Sequence, residues 1–244
     1  MLKFNKQAVW DGKNFIINAD TINAFNNWYF KQNTVDDRYK HDEEILMYFV
    51  PKLINPDSKL NDIYLLVTLI NAFYGTRMGN DYCYALSELL HKNHKTILKT
   101  IESGNISEIQ NIIEKQKTSL NRVEFSFTTK YFSLLCRYTQ KCDKFPIYDS
   151  VVSKMLDYYF YANGVKNKTF VSGMRKDYVN YYDCINKLIN KSDIEYKKLD
   201  TYLWWLGRNV ISEYDNHGYN PKNFCASCDY KIIDKLLTNT FNKK

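Results

Sequence analysis

A chain of 244 residues can build one large domain or two small lobes around a shared core. With 45% hydrophobic and 25% charged residues it has the balance of a globular chain, and its 8 Gly and 4 Pro are too few for a turn-rich β architecture. The net charge of +7 permits a polyanionic partner without requiring one, because only 6 of the 34 basic residues are Arg, the side chain best suited to forked phosphate contacts.

Residues 1–19 hold short β-capable pieces, Leu2 to Phe4 and Phe15 to Ile17, enough for a short N-terminal hairpin. From Asp20 the pattern turns helical, with Ile22, Phe25, Trp28 and Tyr29 on one stripe. A second helix is expected over 43–54, stopped or kinked near Pro51. Residues 61–74 are apolar nearly all round, the mark of a buried central helix, and Gly75 and Gly79 break it. Further helices are expected at 81–92, 95–102 and 106–115, then at 128–139, 150–161, 172–190, 196–211 and 229–238. The composition shift near 116–124 divides a lobe of residues 1–120 from one of 121–244, the two folding as one cooperative unit. The expected fold is all-α.

No run approaches the roughly 18 apolar residues of a spanning helix, so no membrane partner is expected. The N-terminus, MLKFNKQAVWDGK, lacks the apolar core of a secretory signal. That points to a cytoplasmic protein whose six cysteines are reduced. Cys225 and Cys228 share a metal-like spacing but lack a second ligand pair, so no metal and no cofactor is expected. Tyr contributes 21 residues to an aromatic fraction of 16%, and such rings suit both a core and a base-stacking surface.

The chemistry concentrates in residues 122–150. Thr128 or Thr129 can cap a helix whose first turn holds Lys130, with Tyr131, Leu134, Leu135 and Tyr138 on its apolar face. A basic connection, Gln140 to Lys144, leads to Phe145-Pro146-Ile147-Tyr148, which Pro146 keeps extended. Asp149 then caps the next helix. Ten helical residues span roughly 15 Å, and the return segment has ample reach to bring Asp149 back beside Lys130. A neutral lysine amine attacks electrophilic carbon and forms a Schiff base. Burial and the positive end of a helix dipole both favour the neutral form. A nearby carboxylate stabilises a cationic sugar as a base departs. Against this stands a plainer reading, in which Lys130 is one of 28 lysines and Asp149 only a cap.

The words Phe125-Ser126-Phe127-Thr128-Thr129-Lys130-Tyr131 and Phe145-Pro146-Ile147-Tyr148-Asp149-Ser150 resemble the bacterial 8-oxoguanine glycosylase-like proteins, divergent relatives of the helix-hairpin-helix DNA glycosylases. In that superfamily a catalytic lysine opens the second hairpin helix and an aspartate follows 19 residues later, the separation of Lys130 and Asp149. Leu69 to Arg77 is similar to a family pattern L-N-x-F-Y-x-T, and Leu199 to Gly207 to a pattern L-D-x-x-L-W-x-x-G. The resemblance covers roughly residues 45–210. It implies a two-lobed helical fold with an atypical helix-hairpin-helix. It also implies excision of an oxidised or otherwise modified base, 8-oxoguanine-like or a hypermodified phage base, through a lysine Schiff base, with strand cleavage by β-elimination as an accompanying activity. The implied role is DNA repair or phage defence, and the expected partner is double-stranded DNA bearing the modified base, met by a monomer.

The chain departs from the pattern at three points. The turn from Asn121 to Thr129 has no Gly, so phosphate contacts fall to Arg122, Thr128, Thr129, Lys141 and Lys144. Leu134 stands where the family's better-known members have a cysteine against the flipped base, and Val151 where they have a histidine. The base excised is left open by these changes. An extruded base needs apolar faces and a few polar edges, for which Asn71, Tyr74, Thr76, Leu134, Tyr148, Trp204 and Trp205 are candidates. The first three could equally form an ordinary polar helix terminus. The adjacent tryptophans face about 100° apart on a helix, so one could stack a base while the other fills core, or both could be core. A different class of reading is a glycosylase-fold module that binds modified DNA without catalysis; the presence of both Lys130 and Asp149 disfavours it.

Overall fold

The computed structural model describes residues 7, 9–12, 15–31, 37–162, 177–189, 194–211 and 226–242. The fold is all-α: α1 (Ala19–Lys31), α2 (Asp37–Leu53), α3 (Leu60–Tyr74), α4 (Asn80–Lys92), α5 (His94–Ser103), α6 (Ile106–Leu120), α7 (Phe125–Gln140), α8 (Ser150–Ala162), α9 (Tyr178–Ile189), α10 (Tyr196–Leu206) with a π turn at Gly207–Ile211, and α11 (Ala226–Asn242). Among the described residues the β content is one isolated antiparallel bridge between Trp10 and Phe15. Of the expected hairpin, Leu2 to Phe4 lies outside the described residues, as does the start of the helix expected over 172–190.

The helix ends follow their local chemistry. Gly75 (φ 59°) ends α3 and Gly104 (φ 75°) ends α5, each in the left-handed region where a Cβ is disfavoured. The Asn105 side chain caps α6 through the Ser107 N–H at 3.1 Å. Pro51 does not stop α2. It lies within the last turn, and the Ile54 N–H still reaches the Val50 carbonyl at 2.9 Å.

The chain divides into two compact units, and the division differs from the one expected at residue 120. One unit holds the described parts of Met1–Asn33, Asp149–Gly173 and Cys184–Lys244, the other those of Thr34–Tyr148 and Met174–Asp183. Residue 120 is no boundary because α6 and α7 are bound together across it: buried Gln116 donates to the Thr128 hydroxyl at 2.5 Å and accepts the Glu124 N–H at 3.0 Å.

In the unit that begins at residue 1, the core is aromatic. The Phe25 ring packs against Tyr202 at 5.1 Å, Trp205 at 5.3 Å and Trp28 at 5.7 Å between centroids. The buried Tyr202 hydroxyl finishes the packing by donating to the Ile16 carbonyl at 2.8 Å. Gly207 lets the π turn lie against α8, since an added Cβ would come within 2.5 Å of Val151 Cγ1 and 3.0 Å of its carbonyl oxygen. In the other unit, α7 packs with α2, α3, α5 and α6. Phe125 and every residue from Phe127 to Cys136 are buried.

Candidate active site around Lys130

The helix that carries Lys130 starts earlier than its sequence suggests. Thr128 and Thr129 do not cap it; α7 begins at Phe125 with Glu124 at the N-cap position. The reason is tertiary. The Glu124 N–H is taken by Gln116, the Thr128 hydroxyl turns back to the Glu124 carbonyl at 2.9 Å, and Phe125 and Phe127 both have core to fill. Lys130 therefore sits in the second turn. Helical side chains lean toward the N-terminus, however. The amine accordingly reaches back one turn and donates to Ser126 Oγ at 3.0 Å, in the first turn, where N–H groups lack helical partners.

Lys130 is 6% exposed, an uncommon placement for a lysine. Its Nζ lies 5.3 Å from the centroid of the Tyr74 ring, within cation–π range. Tyr74, the last residue of α3, is itself 38% exposed. An almost buried amine thus lies beside a half-open aromatic face. Farther along α7, the Tyr138 hydroxyl donates to Glu43 Oε1 at 3.0 Å. Burial, then the neighbouring Glu43 and Tyr74, push that phenol well above its ordinary range.

The turn that joins α6 to α7 replaces the missing glycine with Asn121, which adopts the left-handed conformation at φ 52° and ends α6. Arg122 pairs with Glu124 and stacks over Tyr82, whose hydroxyl donates to the Arg122 carbonyl at 3.1 Å. Burial, then Glu124, push the Tyr82 phenol up to about 12, against the pull of Arg122. Arg122 is exposed, so a phosphate could still compete for it.

The return segment lies back along α7. Arg137 pairs with Asp143 at 2.9 Å, the Phe132 and Phe145 rings meet at 6.2 Å, and Thr129 Oγ1 accepts the Tyr148 N–H at 3.0 Å. The three links join residues whose numbers sum to nearly the same value, which is an antiparallel register. The Tyr178 and Tyr181 hydroxyls satisfy the Pro146 and Ile147 carbonyls at 2.8 and 2.6 Å. The segment therefore doubles back as expected as far as Tyr148, the residue before Asp149.

Several candidates take structural roles. Thr128 and Thr129 are buried with their hydroxyls engaged inside the hairpin and on Tyr148, so the phosphate contacts expected of them do not fit this arrangement. Leu134 is fully buried in the core and presents no face to a base. Asn71 organises the loop after α3: its Oδ1 accepts from the Thr76 hydroxyl at 2.6 Å and the Met78 N–H at 3.0 Å, and its Nδ2 donates to the Met78 carbonyl at 3.0 Å. Asn71 and Thr76 thus form the polar helix terminus of the plainer reading, with Arg77 held at φ 55°. Lys144 caps the end of α5 through the Glu102 carbonyl at 2.6 Å. Lys141 is exposed at the left-handed end of α7. Tyr148 is half-buried, edge-on to Phe125 at 4.6 Å and to Tyr181 at 5.2 Å.

Asp149, Trp204 and Trp205 belong to the other unit. Asp149 caps α8 as its sequence position predicts, its Oδ1 accepting the Val151 N–H at 2.8 Å. Trp205 is core, packed on Phe25 and on Trp28 at 5.8 Å. Trp204 is half-buried with the Arg208 guanidinium 5.3 Å from its ring. The two tryptophans differ as the helical angle between them allows.

Sequence reading missed Ser126, Glu43, Tyr138 and Gln116. Ser126 was accessible, four residues before Lys130 and hence on its face of the helix. Gln116 and Glu43 act across turns and between helices, where no local spacing marks them.

Among the described residues no three His, Cys, Asp or Glu side chains gather to hold a metal ion, and no helix is long and apolar enough to cross a membrane. Cys225 lies outside the described residues, as does the Cys228 side chain. The sequence is 33% identical over 122 residues to an uncharacterized protein of Haemophilus influenzae, a match covering 50% of this chain and 56% of that protein. The chain therefore spans little more than half the length of that relative. No protein-family profile matches the chain, and no solved structure does.

Proposed function

We propose that the chain is a DNA glycosylase that removes an oxidised or otherwise modified base, with Lys130 as the nucleophile. The observation that carries this reading is the nearly buried Lys130 amine, hydrogen-bonded to the neutral Ser126 hydroxyl and beside the half-exposed Tyr74 ring. The form of an amine that attacks carbon is the uncharged one.

In the proposed reaction the Nζ lone pair attacks C1′ of the deoxyribose, and the bond from C1′ to the base breaks with its electrons leaving on the base. Of the two protons then on Nζ, one passes to the departed base and the other to the ring oxygen as the C1′–O4′ bond opens, giving an imine between Nζ and C1′. Water hydrolyses the imine, or removal of a C2′ proton expels the 3′ phosphate by β-elimination. Asp149 serves as the carboxylate that stabilises positive charge on the sugar. Tyr74 and Tyr148 supply aromatic faces, and Arg122 and Lys141 exposed cations for the backbone of double-stranded DNA. The protein acts as a cytoplasmic monomer, in genome repair or against modified phage DNA.

The reading is tested with a panel of duplexes, each carrying one modified base, incubated with the protein and sodium borohydride. Release of one base together with a covalent protein–DNA adduct supports it. Salt-sensitive binding with neither release nor adduct across the panel would instead favour a module that reads modified DNA without cutting it. No binding to any duplex would defeat both.

A further inference from the structure

We propose that Cys136 and Cys142 form a thiol pair that a small-molecule disulfide of the glutathione class converts into an intramolecular disulfide, stapling the return segment to the end of α7. The two Sγ atoms are 2.7 Å apart, and Cys142 Sγ also lies 3.8 Å from the Cys136 carbonyl oxygen. Both cysteines are free thiols in the structure, Cys136 buried and Cys142 half-buried.

The apposition has a clear local cause. Lys141, in the left-handed conformation at φ 51°, ends α7 and turns the chain back on itself. The residue after such a turn characteristically packs against the last turns of the helix it leaves. Here that residue is Cys142 and the position it meets is Cys136. The next link of the segment, Arg137 with Asp143, holds the same geometry from the neighbouring positions. The sulfur atoms therefore need to move only a few tenths of an ångström to reach a bond length of about 2.05 Å.

The pair also divides the labour of exchange. Burial, with the hydrogen bond to Cys142, pushes the Cys136 thiol up to about 12, which makes it the poorer first nucleophile. Cys142, the more exposed, attacks as thiolate one sulfur of the small disulfide; a mixed disulfide forms at Cys142 and one small thiolate leaves. Cys136 then gives up its proton and its thiolate attacks Sγ of Cys142, expelling the second small thiolate. Two protein thiols have become one disulfide, and one small disulfide has become two thiols. The inference is independent of the proposed enzyme activity, because it needs only the end of α7 and the return segment.

The experiment exposes the full-length native protein to oxidised glutathione, blocks remaining thiols with an alkylating agent, and maps the digest. Trypsin cleaves after Lys130, Arg137, Lys141 and Lys144, so the predicted product is peptide 131–137 joined to peptide 142–144, about two mass units lighter than the sum of the reduced pair. In a Cys136→Ser variant the reaction is expected to stop with one glutathione retained on Cys142. In a Cys142→Ser variant Cys136 is expected to stay alkylatable. Wild-type protein that keeps glutathione on Cys142, joins either cysteine to a different partner, or leaves both fully alkylatable would overturn the proposal. The wild-type map decides the matter even if a variant fails to fold.

Discussion

The two units solve burial in opposite ways. Around Phe25 the interior is built from rings, and its polar side chains donate to backbone carbonyls, Tyr202 to Ile16 and Asn26 to Ile22 and Lys198. Around α7 the interior carries a polar stripe, with Gln116, Thr128, Thr129, Lys130 and Ser133 all buried. A ring cluster is explained by the area it removes from water. A buried polar stripe needs a partner for each group, or it costs stability. Gln116, Thr128 and Thr129 have such partners: they brace the hairpin and hold the return segment. Lys130 is the ionisable member of the stripe, and its amine donates to Ser126 Oγ beside the half-exposed Tyr74 ring. That contrast is why function is assigned there and not among the rings.

Substitutions can break the comparison at each of its parts. The largest expected effect is in the ring cluster: Phe25→Ala should cost about 3–5 kcal/mol in denaturant unfolding, because the surrounding rings cannot all collapse into the space. A cost under about 1 kcal/mol would mean that the cluster is loosely packed. Next comes Gln116→Leu, which keeps most of the volume but leaves the part-buried Glu124 N–H without its acceptor. It should cost about 1–3 kcal/mol and speed hydrogen exchange at Glu124. Thr129→Val is smaller, at about 1 kcal/mol; its readout is faster exchange of the Tyr148 amide, whose acceptor it removes. The smallest effect on folding is expected for Asp149→Asn, since Asn caps a helix about as well as Asp. Stability should hold within about 0.5 kcal/mol while base excision slows severalfold or more. Excision at the wild-type rate would reduce Asp149 to a cap.

Much of this fold was legible in the amino-acid order because its signals are local. Gly75 ends α3 as expected, Asp149 begins α8, and the apolar run of α3 marks a buried helix. The start of α7 was not legible, because the alternating Phe125-Ser126-Phe127 looks extended until Gln116 supplies a partner for Glu124. The division into units was obscured for the same reason: the bonds that join α6 to α7 cross the composition shift near residue 120. At the candidate site, the doubling back of the chain as far as Tyr148 was readable from the reach of the return segment, while Lys130 was singled out by the resemblance of the words around it. The burial of Leu134 on the apolar face of α7 was readable too, but the internal use of Thr128 and Thr129 was not, because their partners Gln116 and Tyr148 lie on other segments.

The most direct test of the central claim is to digest the borohydride-trapped protein–DNA adduct and locate the attachment. The account predicts that the sugar remnant sits on Lys130, that trypsin no longer cleaves there, and that Lys130→Gln protein, folded by circular dichroism, gives no adduct. Attachment at any other lysine or at the N-terminal amine, or an adduct formed undiminished by Lys130→Gln, would contradict it.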